Sequence, residues 1–466
     1  MVRTGDVLAR IGKMAELFDD FSPLQLQASG VCQGKKFTLV GRLQYKYGDG
    51  TWTEWYAAFD DAARGIGYLS EDNGAFVFTL PATMHREVPS ADQLWVGATT
   101  AIDGKSFSVA SIQSVALMSA QGELPRLPAL GESFAMVELR SADGEMFSID
   151  YGVVASGGVP SLSRGKSVLL DDLKFSGLKG ASGKEDKGQQ FACPNCGAQV
   201  AIVLASSKTV TCKSCNSIID LSQGVGAQLK HAIQNEPVEL LIPLGATGQL
   251  QGASWQVVGF QHRIGNEAGD DEHFGWSEYL LYNHKRGFIF LVDAEDGWSI
   301  VKPLTGAADY KNGAQSATYL GTRYDLQSTY NAETNYVAGE FYWQVERGEK
   351  TANIDFAKGR DLLSREQSPG EVTWSSGSKV DGSVVAAVFK LDEKKDLFKR
   401  VDAQPLSAGA GMSVTTIVVI VIALVVLSLL MTRCERCDPA TQNCSSSGSR
   451  TSGGAYGGGS SGGGHK

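Results

Sequence analysis

Four of the chain's eight cysteines fall into one pattern. Cys193-Pro-Asn-Cys196 and Cys212-Lys-Ser-Cys215 are two C-x-x-C pairs separated by fifteen residues. Each pair offers two thiolates from one tight turn, and two such turns complete a tetrahedral shell. The spacing predicts a zinc ribbon with a structural Zn2+ held by Cys193, Cys196, Cys212 and Cys215. Four protein thiolates leave no position for a bound water, so hydrolysis at this metal is not expected. Between the outer cysteines only Lys208 and Lys213 are basic and no aromatic is present for stacking, which argues against nucleic acid as a partner. Thiolate ligands persist most simply in a reducing compartment, placing this part of the chain in the cytosol.

A second candidate chemistry lies in two glutamates with matching neighbours, Glu54 in Trp52-Thr-Glu54-Trp55 and Glu278 in Trp276-Ser-Glu278-Tyr279. Alternation along a strand puts Glu54 on one face with Trp52 and Tyr56, and Glu278 with Trp276 and Leu280. A carboxyl beside tryptophan can have a raised pKa and act as a general acid. The competing and favoured reading is an ion pair to a base on the neighbouring strand, Lys46 for Glu54 and Arg263 for Glu278. No second carboxylate recurs at a fixed position to complete an acid/base pair. Asp150 and Asp355, each between isoleucine and an aromatic, fit turn capping, with cation binding as the alternative. His262, His273 and His284 match no metal spacing and are expected on hairpin surfaces. The chain has no G-x-S-x-G, phosphate-binding glycine loop or H-E-x-x-H, so no catalytic residue and no organic cofactor is assigned.

The elements that must position these residues read as mainly β. Phe37–Tyr45, Trp52–Phe59 and Gly65–Leu69 are short alternating runs broken by Gly- and Asp-rich turns, an antiparallel meander. The same order returns about 220 residues later: Leu39-Val40-Gly41 with Val257-Val258-Gly259, Gly65–Leu69 with Gly287–Leu291, and Glu71-Asp72 with Glu295-Asp296. Looser matches follow: Gly122-Glu123-Leu124 with Gly339-Glu340-Phe341, Ile149-Asp150-Tyr151 with Ile354-Asp355-Phe356, and Leu162-Ser-Arg164 with Leu363-Ser-Arg365. The expected fold is two tandem antiparallel-sheet repeats of barrel or roll type. An amphipathic helix is expected over 1–23, copy one over 24–178, linker and zinc ribbon over 179–225, and a further linker over 226–240. Copy two follows over 241–378, then a juxtamembrane segment over 379–411. Within the ribbon, two short strands joined at Ser206-Ser207-Lys208 should return the second cysteine pair to the first. These motifs, with Gly339-Glu-Phe-x-Trp343, resemble the bacterial domain of unknown function 4178 in two copies. That resemblance implies no established activity, only an association with envelope-related systems.

Residues 413–432 contain no charge, and twenty residues rise about 30 Å as a helix, the thickness of a hydrocarbon core. A transmembrane helix is therefore expected over 412–432. Lys394, Lys395, Lys399 and Arg400 precede it, a slight bias that keeps the N-terminal bulk cytosolic and sends the tail, 433–466, to the far side of the inner membrane. That tail holds Cys434, Cys437 and Cys444 and is otherwise mostly Gly and Ser, suiting a solvated segment. The first twenty residues lack the apolar stretch of a signal peptide. A net charge of −9 weighs against nonspecific nucleic-acid binding. The reading that follows is a membrane-anchored, non-enzymatic binding or scaffold protein with protein partners at the membrane. Its alternative is an enzyme or small-molecule sensor whose pocket holds Glu54 or Glu278.

Overall fold

The computed structural model describes residues 22–399 apart from 49–50, 62–63, 73–74, 125–130, 153–158, 180–188, 205–206, 222–230, 235–237, 268–271 and 284–285, together with 2–4, 7–9 and 406–407. Strands dominate, as alternation predicts. Copy one contributes β1 (Lys35–Lys46), β2 (Thr51–Phe59), β3 (Ile66–Asp72), β4 (Ala75–Pro81), β5 (Lys105–Gly122), β6 (Ser133–Arg140), β7 (Glu145–Asp150) and β8 (Ser161–Val168). Copy two contributes β9 (Ala253–Glu267), β10 (His273–Asn283), β11 (Gly287–Ala294), β12 (Gly297–Pro303), β13 (Thr322–Phe341), β14 (Lys350–Lys358), β15 (Asp361–Gln367) and β16 (Val372–Val380). Each set is two four-stranded meanders joined at both seams. β4 pairs with β8 and β1 with β5, as β12 pairs with β16 and β9 with β13, so each copy is a closed eight-stranded antiparallel barrel. Closure leaves the barrel strands without a continuous open edge.

The duplication is visible at atomic detail where β5 crosses β1. Both copies carry a register shift beside the first-strand glycine, between Leu39 and Gly41 and between Val257 and Gly259. Opposite them, Gly122 and Gly339 have φ of +81° and +90°, and a Cβ there would lie 2.2 Å from the Val40 carbonyl oxygen and 2.3 Å from that of Val258. A left-handed backbone and a carbonyl at that distance admit glycine alone.

Two of the three looser matches of the second halves do not survive. Asp150 ends β7, the third strand of its meander, whereas Asp355 lies in β14, the second. Leu162–Arg164 is in β8 and Leu363–Arg365 in β15. An isoleucine, a polar residue and an aromatic form an ordinary strand alternation, so the pattern recurs without marking equivalent positions. The first-half matches and Gly122/Gly339 hold.

Each barrel is covered by its own apolar layer. In copy two, Phe260, Tyr279, Leu291 and Trp298 form a cluster with Val385 and Ala386 of helix α1 (Gly382–Val388) and with Phe398. Asp381 caps that helix by accepting from the Ser383 amide at 2.9 Å. The Trp298 indole donates to the Phe398 carbonyl at 3.0 Å. Residues 381–398 are thus part of the copy-two core, where a separate juxtamembrane segment was expected over 379–411. Fully burying each such apolar side chain contributes about 1.5–3 kcal/mol.

At the N-terminus, Val2–Thr4 pairs antiparallel with Val7–Ala9, in place of the start of the expected helix. Val and Thr favour strands. Residues 10–21 lie outside the described residues, as do 412–432 and the tail with Cys434, Cys437 and Cys444. Among the described residues, no helix is long and apolar enough to cross a membrane.

Backbone hydrogen bonds join the copies. The Ala307 amide donates to the Ser141 carbonyl at 3.2 Å and the Leu320 amide to that of Ala142 at 2.8 Å. Ser111 of β5 forms an isolated bridge with Glu371, just before β16.

Candidate metal centre and buried charge network

The four cysteine sulfurs converge within 4.8 Å of one another. Cys193 Sγ is 3.7 Å from Cys215 Sγ, and Cys196 Sγ is 3.7 Å from Cys212 Sγ. A disulfide would require about 2.05 Å. Four sulfurs at about 2.3 Å from one tetrahedral ion would stand about 3.8 Å apart, so the set fits a single four-coordinate metal. Each pair sits in the same turn. The Gly197 amide donates to the Cys193 carbonyl at 2.9 Å and the Asn216 amide to that of Cys212 at 2.8 Å, with Gly197 and Asn216 both left-handed. The Ser217 hydroxyl, 3.2 Å from Cys215 Sγ, holds that thiol down, at about 6, while burial pushes Cys212 up to about 12. Metal binding would release the proton from Cys212.

The ribbon is built differently from expectation. Gln199–Ile202 pairs with Gln189–Ala192, and Thr209–Thr211 pairs with Ile218–Asp220, so each cysteine pair closes its own hairpin. The two central strands do not pair with each other. The reason lies in β13: Thr209 and Val210 pair with Phe341 and Glu340 instead. Glu340, buried, accepts from the amides of Val203 and Leu204, each at 2.9 Å, and from the Ser207 hydroxyl at 2.8 Å. Thr211 Oγ1 accepts from the Gly339 amide at 2.6 Å. The Gln234 side chain acts as a further strand, donating to the Val337 carbonyl at 2.8 Å and accepting from its amide at 3.0 Å. Leu204 and Ile218 then join Leu280, Val337 and Phe341 in one apolar cluster. The Gly339-Glu-Phe-x-Trp343 motif is the ribbon's seat on copy two. Nothing in the spacing of residues 203–234 announced that.

Inside the second barrel the candidate glutamate finds several partners. Glu278 accepts from the Trp276 indole at 2.6 Å and from Gln261 Nε2 at 2.5 Å. Arg263 Nη1 stands 3.9 Å from Glu278 Oε1 but 2.6 Å from Glu366 Oε2, and Nη2 donates to Thr351 Oγ1 at 2.5 Å. The expected Glu278–Arg263 pairing is present as the longer arm of a triad whose short arm, Glu366, was not foreseen. β9 and β15 are separated by β13 and β14, about 14 Å across a flat sheet, so these side chains can meet only on the concave inner face. Burial raises the Glu278 carboxyl, with Arg263 opposing that shift. Burial likewise disfavours the Arg263 charge, but Glu366 and Glu278 outweigh it and keep the guanidinium protonated. Asp355 also belongs to this interior, accepting from Tyr330 at 2.9 Å and Ser364 at 2.5 Å. Asp150 instead caps a turn, accepting from the Gly152 amide at 2.8 Å.

Copy one fills the same space with apolar groups. Leu43 and Tyr45 stand where copy two has Gln261 and Arg263, and Tyr45 stacks on Trp52 at 5.0 Å. Leu43, Tyr45, Tyr56, Leu117 and Leu124 form the cluster. Glu54, half-buried, lies across from Leu43 and Ser70, whereas Lys46 is farther along, opposite Thr51. His262, expected on a hairpin surface, is fully buried because it lies in the middle of β9 between β10 and β13. His273 is exposed, and His284 lies outside the described residues.

A family model described as Domain of unknown function (DUF4178) matches residues 25–169 and 243–382, the two barrels. No curated protein and no solved structure matches the chain.

Proposed function

The chain belongs to the DUF4178 family, with one family domain in each barrel, and on that premise we propose that it is a membrane-anchored, non-enzymatic binding protein whose ribbon carries a structural zinc ion. The observation that carries the reading is how the chemically promising groups are used. Arg263 sits between Glu278 and Glu366 at barrel two, hydrogen-bonded to the latter, and the four cysteine sulfurs converge, close enough to share one metal ion, on a module seated against β13. A glutamate held by an indole, an amide and a guanidinium is poorly placed to exchange protons with a substrate, which leaves the enzyme reading without support in copy two. Zinc is the ion that four thiolates in tetrahedral array select in most structural sites. The uncharged run 413–432 supplies the anchor, and the basic residues before it favour a cytosolic location for the barrels.

Fractionation of the full-length chain expressed in bacteria tests the anchor and the metal together. The reading expects retention in the membrane pellet after an alkaline carbonate wash, release when residues 412–432 are deleted, and one zinc per chain in both forms. Full-length protein in the supernatant would refute the anchor. Absence of bound zinc, or its persistence when Cys193 and Cys212 are replaced by serine, would refute the metal assignment.

A further inference from the structure

The seam between the copies forms a half-open cleft of about 510 Å³, within the range of small-molecule sites. Its walls come from the segments that cross each barrel, near Trp95 and Tyr310, from the β6–β7 turn around Ser141, and from Arg365 of β15 with Trp374 of β16. Three cations reach it, and two are already neutralised. Lys105 pairs with Asp143 at 2.5 Å and Glu145 at 2.9 Å, and Arg140 pairs with Glu138 at 2.8 Å. Arg365 is different. It is half-buried, its Nη2 donates to the neutral Gln367 Oε1 at 2.8 Å, and among the described residues no carboxylate pairs with it. Burial disfavours its charge, a cost that an incoming anion would offset. Asp309 also lines the cavity but is exposed, where water screens it. Trp95 is 68% exposed, although the adjacent Val96 packs into the copy-two apolar cluster. A large ring left open above a cavity is a stacking surface.

We propose that this cleft binds a small anion, a carboxylate or phosphate, carried on a flat apolar body, with Arg365 gripping the anionic group and Trp95 covering the flat part. A planar guanidinium matches either oxyanion through paired hydrogen bonds. The site exists only because the chain holds two copies, since each contributes one wall. This deepens the binding reading above and rests on it.

Calorimetry on the full-length protein in detergent micelles, with 1-naphthoate, uncharged 1-naphthamide and inorganic phosphate as probes, tests the proposal. One naphthoate per chain is expected, with naphthamide and phosphate each weaker by about tenfold or more. Arg365→Gln should lower naphthoate affinity about tenfold, Arg365→Lys less, and Trp95→Ala several-fold, while Arg286→Gln on a distant hairpin changes nothing. Trp95→Ala removes an exposed ring and is expected to fold, so it keeps the test valid if the Arg365 variants do not. Equal binding of naphthoate and naphthamide, affinity unaffected by Arg365→Gln and Trp95→Ala, or no naphthoate binding at millimolar concentration would overturn the cleft assignment. Membrane retention and zinc content, measured on the same preparation without probe, fail or hold independently of that result.

Discussion

Removing one member of a buried ion pair strands the other, and Arg263 is the residue where that rule has its largest consequence. Arg263→Met should cost about 1–3 kcal/mol in urea unfolding, because the buried Glu278 loses the guanidinium beside it and the part-exposed Glu366 loses its charge-assisted hydrogen bond. Adding Glu366→Gln should recover part of that loss, as expected for coupled neighbours; a purely additive double mutant would contradict the triad. The acid side is governed elsewhere. Burial raises the Asp143 carboxyl, but hydrogen bonds from Lys105 and Ser141 outweigh it and hold Asp143 at about 2. A depressed folded pKa stabilises above the unfolded value, near 4, and that contribution disappears as pH falls toward 2. Glu278, raised by burial, has the opposite sign: its contribution is present at low pH and is lost as pH rises through its folded value. Carboxyl chemical shifts across the acid range should therefore show Asp143 titrating below, and Glu278 above, ordinary carboxylates. The Glu278–Arg263 relation was legible from strand alternation because the two residues lie on neighbouring strands. Glu366 was not, since its contact depends on barrel closure across 103 residues of chain.

At the scale of elements, the crossing of β13 over β9 and the seat of the ribbon depend on a few backbone positions. Gly339→Ala should destabilise copy two by about 2–4 kcal/mol, from positive φ and the Val258 carbonyl in the path of its Cβ. Gly313→Ala also has positive φ but meets no atom within 4 Å, so a smaller loss is expected there. Equal losses would show that crowding at the crossing is not what selects glycine. Glu340→Ala should cost about 1–3 kcal/mol by leaving the Val203 and Leu204 amides without their acceptor, whereas the exposed Glu123 of copy one should tolerate alanine. Unfolding curves for both alanine variants provide the comparison. Short strands and their turns were readable because apolar residues alternate and Gly or Asp interrupts them. The ribbon's pairing was not, because its central strands can satisfy their backbone groups with each other or with β13, and only the tertiary fold chooses. The β7 and β14 motifs illustrate the same limit: a short alternating pattern identifies a strand without saying which strand of a barrel it is.

Across the whole molecule, duplication produced two barrels with the same closure and different interiors: Leu43 and Tyr45 in copy one stand where copy two has Gln261 and the charged Arg263. Copy two also carries the ribbon and helix α1, whereas the cleft is lined by both. The two-copy organisation and the four-thiol cluster were legible from residue order and spacing; the shared cleft was not, because it joins residues from separate barrels. On the proposed reading, a metal at the four thiolates is a staple that keeps the ribbon seated on copy two, while the barrels stand on their own cores. Hydrogen exchange on the full-length protein, with and without a zinc chelator, tests it most directly. Removing the metal should release protection across 189–221 and in the 337–345 segment that seats the ribbon, while β1–β8 and the β10–β12 meander stay protected. Unchanged exchange in the ribbon, or collapse of protection throughout both barrels, would contradict the account.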